Sequence, residues 1–121
     1  MTNDTNIIDR AVVLQLVDDL SLPDLHRVVD TFGSDIHRLA DALAVAATVG
    51  DAPAWKRHCH SIAGVASVFG AAPLESAARA AMERTEIVSA DAIAEAAGIR
   101  ALGSKALALL HAFLADQKGA G

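Results

Sequence analysis

The segment HCHSIAGVASVFGA, residues 58 to 71, combines two histidines and a cysteine with mostly small side chains. His58 and His60 flank Cys59, and Gly64 and Gly70 follow them. Imidazole nitrogens and thiolates are both metal ligands and nucleophiles. The segment is therefore consistent with a metal site, with a nucleophile, or with a hydrophobic core that contains a few polar groups.

The two histidines point in opposite directions if the segment is helical. At 100° per residue, His58 lies about 160° from His60, among the apolar side chains. One helix presents two ligands to a single ion from positions i and i+3 or i+4, not from i and i+2. This spacing excludes a zinc site shared by the pair. We interpret His58 as a core histidine and Cys59 as a small buried residue.

His60 lies at the centre of a stripe of polar and small residues, all within about 60° of it around the helix. The other members of this stripe are Lys56, Arg57, Ala63, Gly64 and Ser67. A glycine inside a helix costs about 1 kcal/mol relative to alanine, and the alanine beside it is also minimal. The pattern indicates that space is kept free beside a nucleophilic nitrogen. Lys56 and Ser67 are placed to meet the oxygens of an arriving anion.

Apolar residues at helical spacing and capping residues predict the elements that must hold this stripe. Ser21 with Pro23 starts a long helix, and the glycine, aspartate and proline of residues 49–53 end it in a short turn. Gly70 is expected in the left-handed conformation that ends the helix carrying His60. The predicted elements are a short helix over residues 7–20 and four helices that begin near residues 21, 53, 73 and 89, the last capped by Ser89.

The composition supports an all-α fold. Hydrophobic residues make up 53% of the 121-residue chain, and only 3% of the residues are aromatic, which suits closely packed helices better than a sheet. The predicted fold is an antiparallel up-down-up-down four-helix bundle with a short extra N-terminal helix. We expect residues 1–121 to form a single domain in which residues 117–121 fray.

Charge and cysteine content exclude several classes of function. The net charge is −5 with ten basic residues spread along the chain, so no basic surface for nucleic acid is expected. A single cysteine and the polar start of the chain favour a reducing cytoplasm. Charges interrupt the apolar runs, so no membrane span is expected.

The run from His60 to Ala71 resembles the histidine-containing phosphotransfer (HPt) domain of multistep two-component phosphorelays. That family's pattern is a histidine, an apolar residue two positions on, usually a lysine three on, and glycines four and ten on. A second helix follows, ending in Leu-Glu or Met-Glu. The matching residues here are Ile62, Gly64, Gly70, Ala71, Leu74, Ala78, Met82 and Glu83.

The resemblance implies that His60 accepts a phosphoryl group from an aspartate on the receiver domain of a hybrid histidine kinase. His60 would then pass the group to an aspartate on the receiver of a response regulator. Neutral imidazole attacks through one ring nitrogen, and the receiver contributes the divalent metal and an acidic pocket. The chain is therefore expected to bind no metal or cofactor and to have no kinase activity. We expect a monomer whose contacts with receivers include Lys56, Arg57, Ser67 and exposed parts of the helix over residues 24–48.

One position departs from the family pattern, because residue 63 is alanine where the family usually carries lysine. That lysine is thought to help hold the phosphoryl group. Lys56, one turn before His60, is the candidate to replace it, and Arg79 is a weaker one. The departure leaves a second function open, a catalytically silent bundle that binds a receiver or a partner helix. The phosphoacceptor part of a histidine kinase fits less well, because this chain is predicted to complete a bundle alone.

Overall fold

The computed structural model describes residues 7–87 and 89–120, and it describes side chains as far as residue 116. This part of the chain is all-helical and contains no strand, which confirms the all-α prediction. The helices are α1 (Arg10–Asp19), α2 (Leu22–Val49), α3 (Ala52–Val68), α4 (Ala72–Ala81) and α5 (Ala90–Ala120). Residue 121 lies outside the described residues, so fraying of the tail stays a prediction.

Local capping explains where α2 and α3 begin and end. The Ser21 hydroxyl accepts a hydrogen bond from the backbone N–H of Asp24 at 3.3 Å, as predicted. Gly50 ends α2 with a φ of 75°, a left-handed conformation that glycine adopts without steric cost. Asp51 then caps α3 by accepting from the N–H of Ala54 at 3.0 Å. Only two residues therefore separate the end of α2 from the start of the helix that carries His60.

The turn between α3 and α4 is also the place where the N-terminal helix is attached. Gly70 has a φ of 67°, which confirms its predicted left-handed conformation. Its carbonyl accepts a hydrogen bond from the backbone N–H of Asp9 at 2.8 Å. A Cβ at position 70 would come within 2.9 Å of the Val12 side chain. Glycine is thus required here by conformation and also by the close approach of α1.

The core lies between α2, α3, α4 and α5. Trp55, the largest fully buried side chain, donates its indole N–H to the carbonyl of Ala81 at 2.7 Å and so ties α3 to the end of α4. The rings of Phe32 and Phe69 pack at a centroid distance of 4.7 Å at the other end of α3. These contacts fix α3 at both of its ends.

Helices α2 and α5 approach each other closely at two glycines. A Cβ on Gly33 would lie 3.0 Å from a methyl carbon of Leu107, and a Cβ on Gly103 would lie 2.5 Å from Cγ2 of Ile36. A Cβ on Gly98 would meet no atom within 4 Å. Of these two α5 glycines, only Gly103 is needed for packing.

This difference makes a prediction for stability. Gly98→Ala and Gly103→Ala gain the same helix propensity, about 1 kcal/mol. Gly103→Ala also overpacks the contact with Ile36, at a cost of about 1–3 kcal/mol. We therefore expect Gly103→Ala to unfold at lower denaturant concentration than Gly98→Ala, by about that free energy in chemical denaturation. Equal midpoints for the two variants would contradict the close packing of α2 on α5.

Helix α5 is unusually apolar. By length and composition alone, Ala90–Asp116 would be long and apolar enough to cross a membrane, and about 28% of its most apolar window is buried in the fold. The expectation that charges interrupt every apolar run is too strict for this helix. Its buried residues pack in the core with the other helices, and alanines occupy much of its exposed face. The buried residues include Ala92, Ala96, Ile99, Ala106, Leu110 and Leu114.

Candidate functional site

Helix α3 holds His60 near its middle, on the face opposite the core. Cys59, Ile62 and Ala66 of the same helix have no solvent exposure, whereas His60 is exposed. The alternation follows from helical periodicity, since residues 59, 62 and 66 share one face and residue 60 faces away. The imidazole is therefore carried by a rigid, well-anchored helix and is open to an approaching molecule.

Gly64 leaves open space one turn after His60. It is exposed, and a Cβ built on it would meet no atom within 4 Å. No packing reason for glycine exists at this position within the described parts of the chain, and its φ is not left-handed. The penalty of about 1 kcal/mol for a glycine inside a helix is therefore not explained by contacts within the fold.

The expectation that Ala63 lies on the open surface with His60 is wrong. Ala63 has no solvent exposure and belongs to the hydrophobic core. It lies about 60° around the helix from His60, at the margin of the stripe. A single methyl group at that margin is covered when α3 packs against its neighbours. Ala63 therefore contributes to packing and not to the open surface.

Ser67 is exposed, but its hydroxyl proton is already used. The hydroxyl donates to the carbonyl of Gly64 at 2.8 Å, a bond within the same helix. To donate to an anion beside His60, it would have to give up this bond. Ser67 is thus a poorer anion ligand than the sequence suggested.

The three basic side chains that the sequence made candidates for this site differ in their partners. Lys56 and Arg57, on the turn before His60, are exposed and form no ion pair within the described residues. Arg79, on α4, is paired with Glu75 through bonds of 2.8 and 2.9 Å. Of these three, the two without an ion pair in the described part of the chain both lie on α3.

Cys59 is not a candidate for nucleophilic chemistry, and His58 is less accessible than His60. Burial, with a smaller contribution from Glu95, raises the pKa of the Cys59 thiol to about 12, so it stays protonated. His58 is half-buried and is not in the hydrophobic core, contrary to expectation. Partial burial lowers the pKa of His58, with help from Arg57 and Arg38, while Asp51 opposes the shift.

The lowered pKa of His58 predicts a pH dependence of stability. Below its ordinary pKa of 6.5, the unfolded chain binds more protons at this residue than the folded chain. The free energy of unfolding should therefore fall as the pH drops below about 6.5. The measurement is denaturant unfolding from pH 7.5 to 5, where His58→Gln should show a flatter profile. Identical slopes in wild type and His58→Gln would contradict this role of His58.

An apolar groove of about 300 Å³ lies between α2 and α3, beginning just past Gly64. Val65 and Val68 line it from α3, and Val68 is 54% exposed. The α2 side of the groove is lined by both apolar and polar residues, which are Arg27, Val28, Thr31, Phe32 and Asp35. The sequence analysis did not assign Val65 and Val68 to the surface near His60. The available signal was Val68, an apolar residue one turn after Gly64 and only about 80° from His60 around the helix.

Comparison with known protein families identifies the family that this chain resembles. A family model described as "Hpt domain" matches residues 26–117. The match includes most of α2 and all of α3 and α4, with His60 inside it, and leaves α1 out. Searches of the curated proteins and of the solved structures returned no significant match.

Proposed function

Since the chain belongs to the Hpt domain family, whose members are phosphotransfer carriers of two-component signalling and not kinases, we propose that His60 is its phosphorylated residue. The observation that carries this proposal is the exposed imidazole in the middle of a rigid helix, beside a glycine with nothing near it. Hpt domains interact with receiver domains. Here the donor would be the receiver of a hybrid kinase, and the acceptor the receiver of a response regulator.

The chemical step requires little from this chain. A lone pair on one nitrogen of the neutral imidazole attacks the phosphorus of an aspartyl phosphate on the receiver. The N–P bond forms, the bond from phosphorus to the carboxylate oxygen breaks, and the aspartate leaves as a carboxylate. The reverse sequence delivers the group to the second receiver. Positioning and charge stabilisation dominate such transfers, so an accessible ring on a fixed scaffold is sufficient. The divalent metal would be held by the receiver, and no cofactor by this chain.

The scaffold we propose is an up-down-up-down antiparallel bundle of α2 to α5, with α1 as the extra helix, in a single domain. Connections of two or three residues between α2, α3 and α4 support antiparallel neighbours. Contacts between α2 and α5 pair Gly33 with Leu107 and Asp41 with Arg100, so the numbers rise along one helix as they fall along the other. We further propose a cytoplasmic monomer.

Phosphotransfer is tested by incubating the protein with a receiver charged by acetyl phosphate. Acid-labile, alkali-stable phosphate on this chain is the expected result, since a phosphoramidate bond has that stability. The alternative function is a silent bundle that binds a receiver without accepting phosphate, and alanine at position 63 favours it. A complex with the charged receiver that leaves no phosphate on this chain would support the silent bundle.

A further inference from the structure

A phosphoryl group on His60 would place a concentrated negative charge on the surface of α3. Protein-bound phosphoryl groups carry roughly −1.5 to −2 charges near neutral pH. Such a group is stabilised by a cation within a few ångströms. A basic side chain on the surface around His60 would therefore stabilise this charge.

The direction of the His60 side chain determines which basic residues lie within its reach. Side chains on an α-helix lean toward its N-terminus and cover the turn before their own Cα. The imidazole of His60 thus lies over the turn that carries Lys56 and Arg57, and away from Ser67. Both of these basic side chains are exposed.

Lys56 and Arg57 lie on opposite sides of His60. Lys56 is about 40° from His60 around the helix and one full turn below it, whereas Arg57 is about 60° away on the other side. Arg57 lies on the side of His58 and contributes to lowering the pKa of that residue. Lys56 is therefore the cation more nearly in line with the imidazole.

Two other candidate side chains already have partners within the fold. Arg79 is held by Glu75, and the Ser67 hydroxyl donates to the Gly64 carbonyl. Position 63 offers only a buried methyl group. Lys56 forms no ion pair with any residue that the structure describes. Its long, flexible stem allows the ammonium group to reach an anion one turn away.

We infer that the Lys56 ammonium contacts the phosphoryl oxygens of phosphorylated His60, from the N-terminal side of the imidazole. This inference rests on the proposed function, and it adds a residue outside the segment that runs from His60 to Glu83. The negative phosphoryl group would be stabilised by a cation on α3 itself, so this contact would persist after the receiver has left.

The test uses the isolated protein and a small phosphoryl donor, so that receiver binding does not enter. Phosphoramidate transfers its phosphoryl group to an imidazole nitrogen and releases ammonia. The ³¹P resonance of phosphorylated His60 is identified by its absence in His60→Gln and is then followed as a function of pH. A nearby cation favours the dianion and lowers the pKa of the phosphoryl group.

In Lys56→Gln we expect this pKa to rise by roughly half a pH unit, the effect of losing one solvent-screened charge about 4 Å away. Lys56→Arg should restore the wild-type titration, which a purely structural role would not explain. Arg57→Gln is the matched control, since it removes the same charge from the adjacent exposed position, and its titration should stay close to wild type.

The outcomes separate this inference from the proposed function. A phosphorylated His60 that titrates identically in wild type and Lys56→Gln would overturn the role of Lys56 and leave the function of His60 intact. An equal rise in Lys56→Gln and Arg57→Gln would also overturn it, because the effect would then be one of general surface charge. If no resonance depends on His60, both the proposed function and this inference are wrong.

Discussion

Replacing His60 with glutamine is expected to abolish phosphorylation of this protein by a charged receiver. Glutamine is similar in length and remains polar at an exposed position, but its amide nitrogen has no available lone pair to attack phosphorus. Because the side chain is exposed, the fold should be retained. The measurement is transfer of ³²P from a phosphorylated receiver, followed under alkaline conditions that preserve phosphohistidine.

The control for this experiment is His58→Gln. His58 lies two residues away on the same helix but on a different face, and it is only partly exposed. We expect it to retain transfer at close to the wild-type rate. Label that persists in His60→Gln, or that disappears in His58→Gln, would show that the phosphoacceptor has been misassigned.

Replacing Gly64 with leucine is expected to slow transfer by about 10²-fold, the size of effect that a small displacement of reacting groups produces. A bulky side chain would occupy the open space beside the imidazole and hold the partner's aspartyl phosphate away from it.

A small substitution at the same position is expected to increase the stability of the fold. Since a Cβ there meets nothing within 4 Å, Gly64→Ala should stabilise the fold by about 1 kcal/mol.

Gly98→Leu provides a matched control for Gly64→Leu. Gly98 is also exposed, also inside a helix, and also without neighbours within 4 Å. It lies on α5, outside the helix that carries His60. We expect this variant to transfer phosphate at the wild-type rate with a similar gain in stability. Wild-type transfer by Gly64→Leu would show that the open space has no role in the approach of a partner.

The local features of this fold were predictable because short-range chemistry determines them. Ser21 and Ser89 cap helices through bonds to residues three positions on, and Gly50 and Gly70 end helices by adopting conformations that other residues resist. The period of the apolar residues placed His60 outward and Cys59 inward. These inferences need only the chain within a few residues of each position.

The features that the sequence did not predict depend on neighbouring helices. The exposure of Ala63 is decided by how far the packing of α3 extends around its circumference, and helical periodicity gives only its angle. The groove lined by Val65 and Val68 exists because α2 passes beside them. The need for glycine at position 103 depends on the position of Ile36 in α2. In each case the missing information was the distance between two helices.

The most direct test of the central claim locates the phosphoryl group within the protein. Cleavage after Arg57 and Arg79 releases a peptide of residues 58–79 that contains His58 and His60 as its only histidines. After transfer from a phosphorylated receiver, electron-transfer fragmentation of this peptide at neutral or alkaline pH separates the two, since Cys59 lies between them. We predict that the added mass appears from His60 onward and not on His58. A phosphoryl group on His58, on a serine, or on a different peptide would contradict the account.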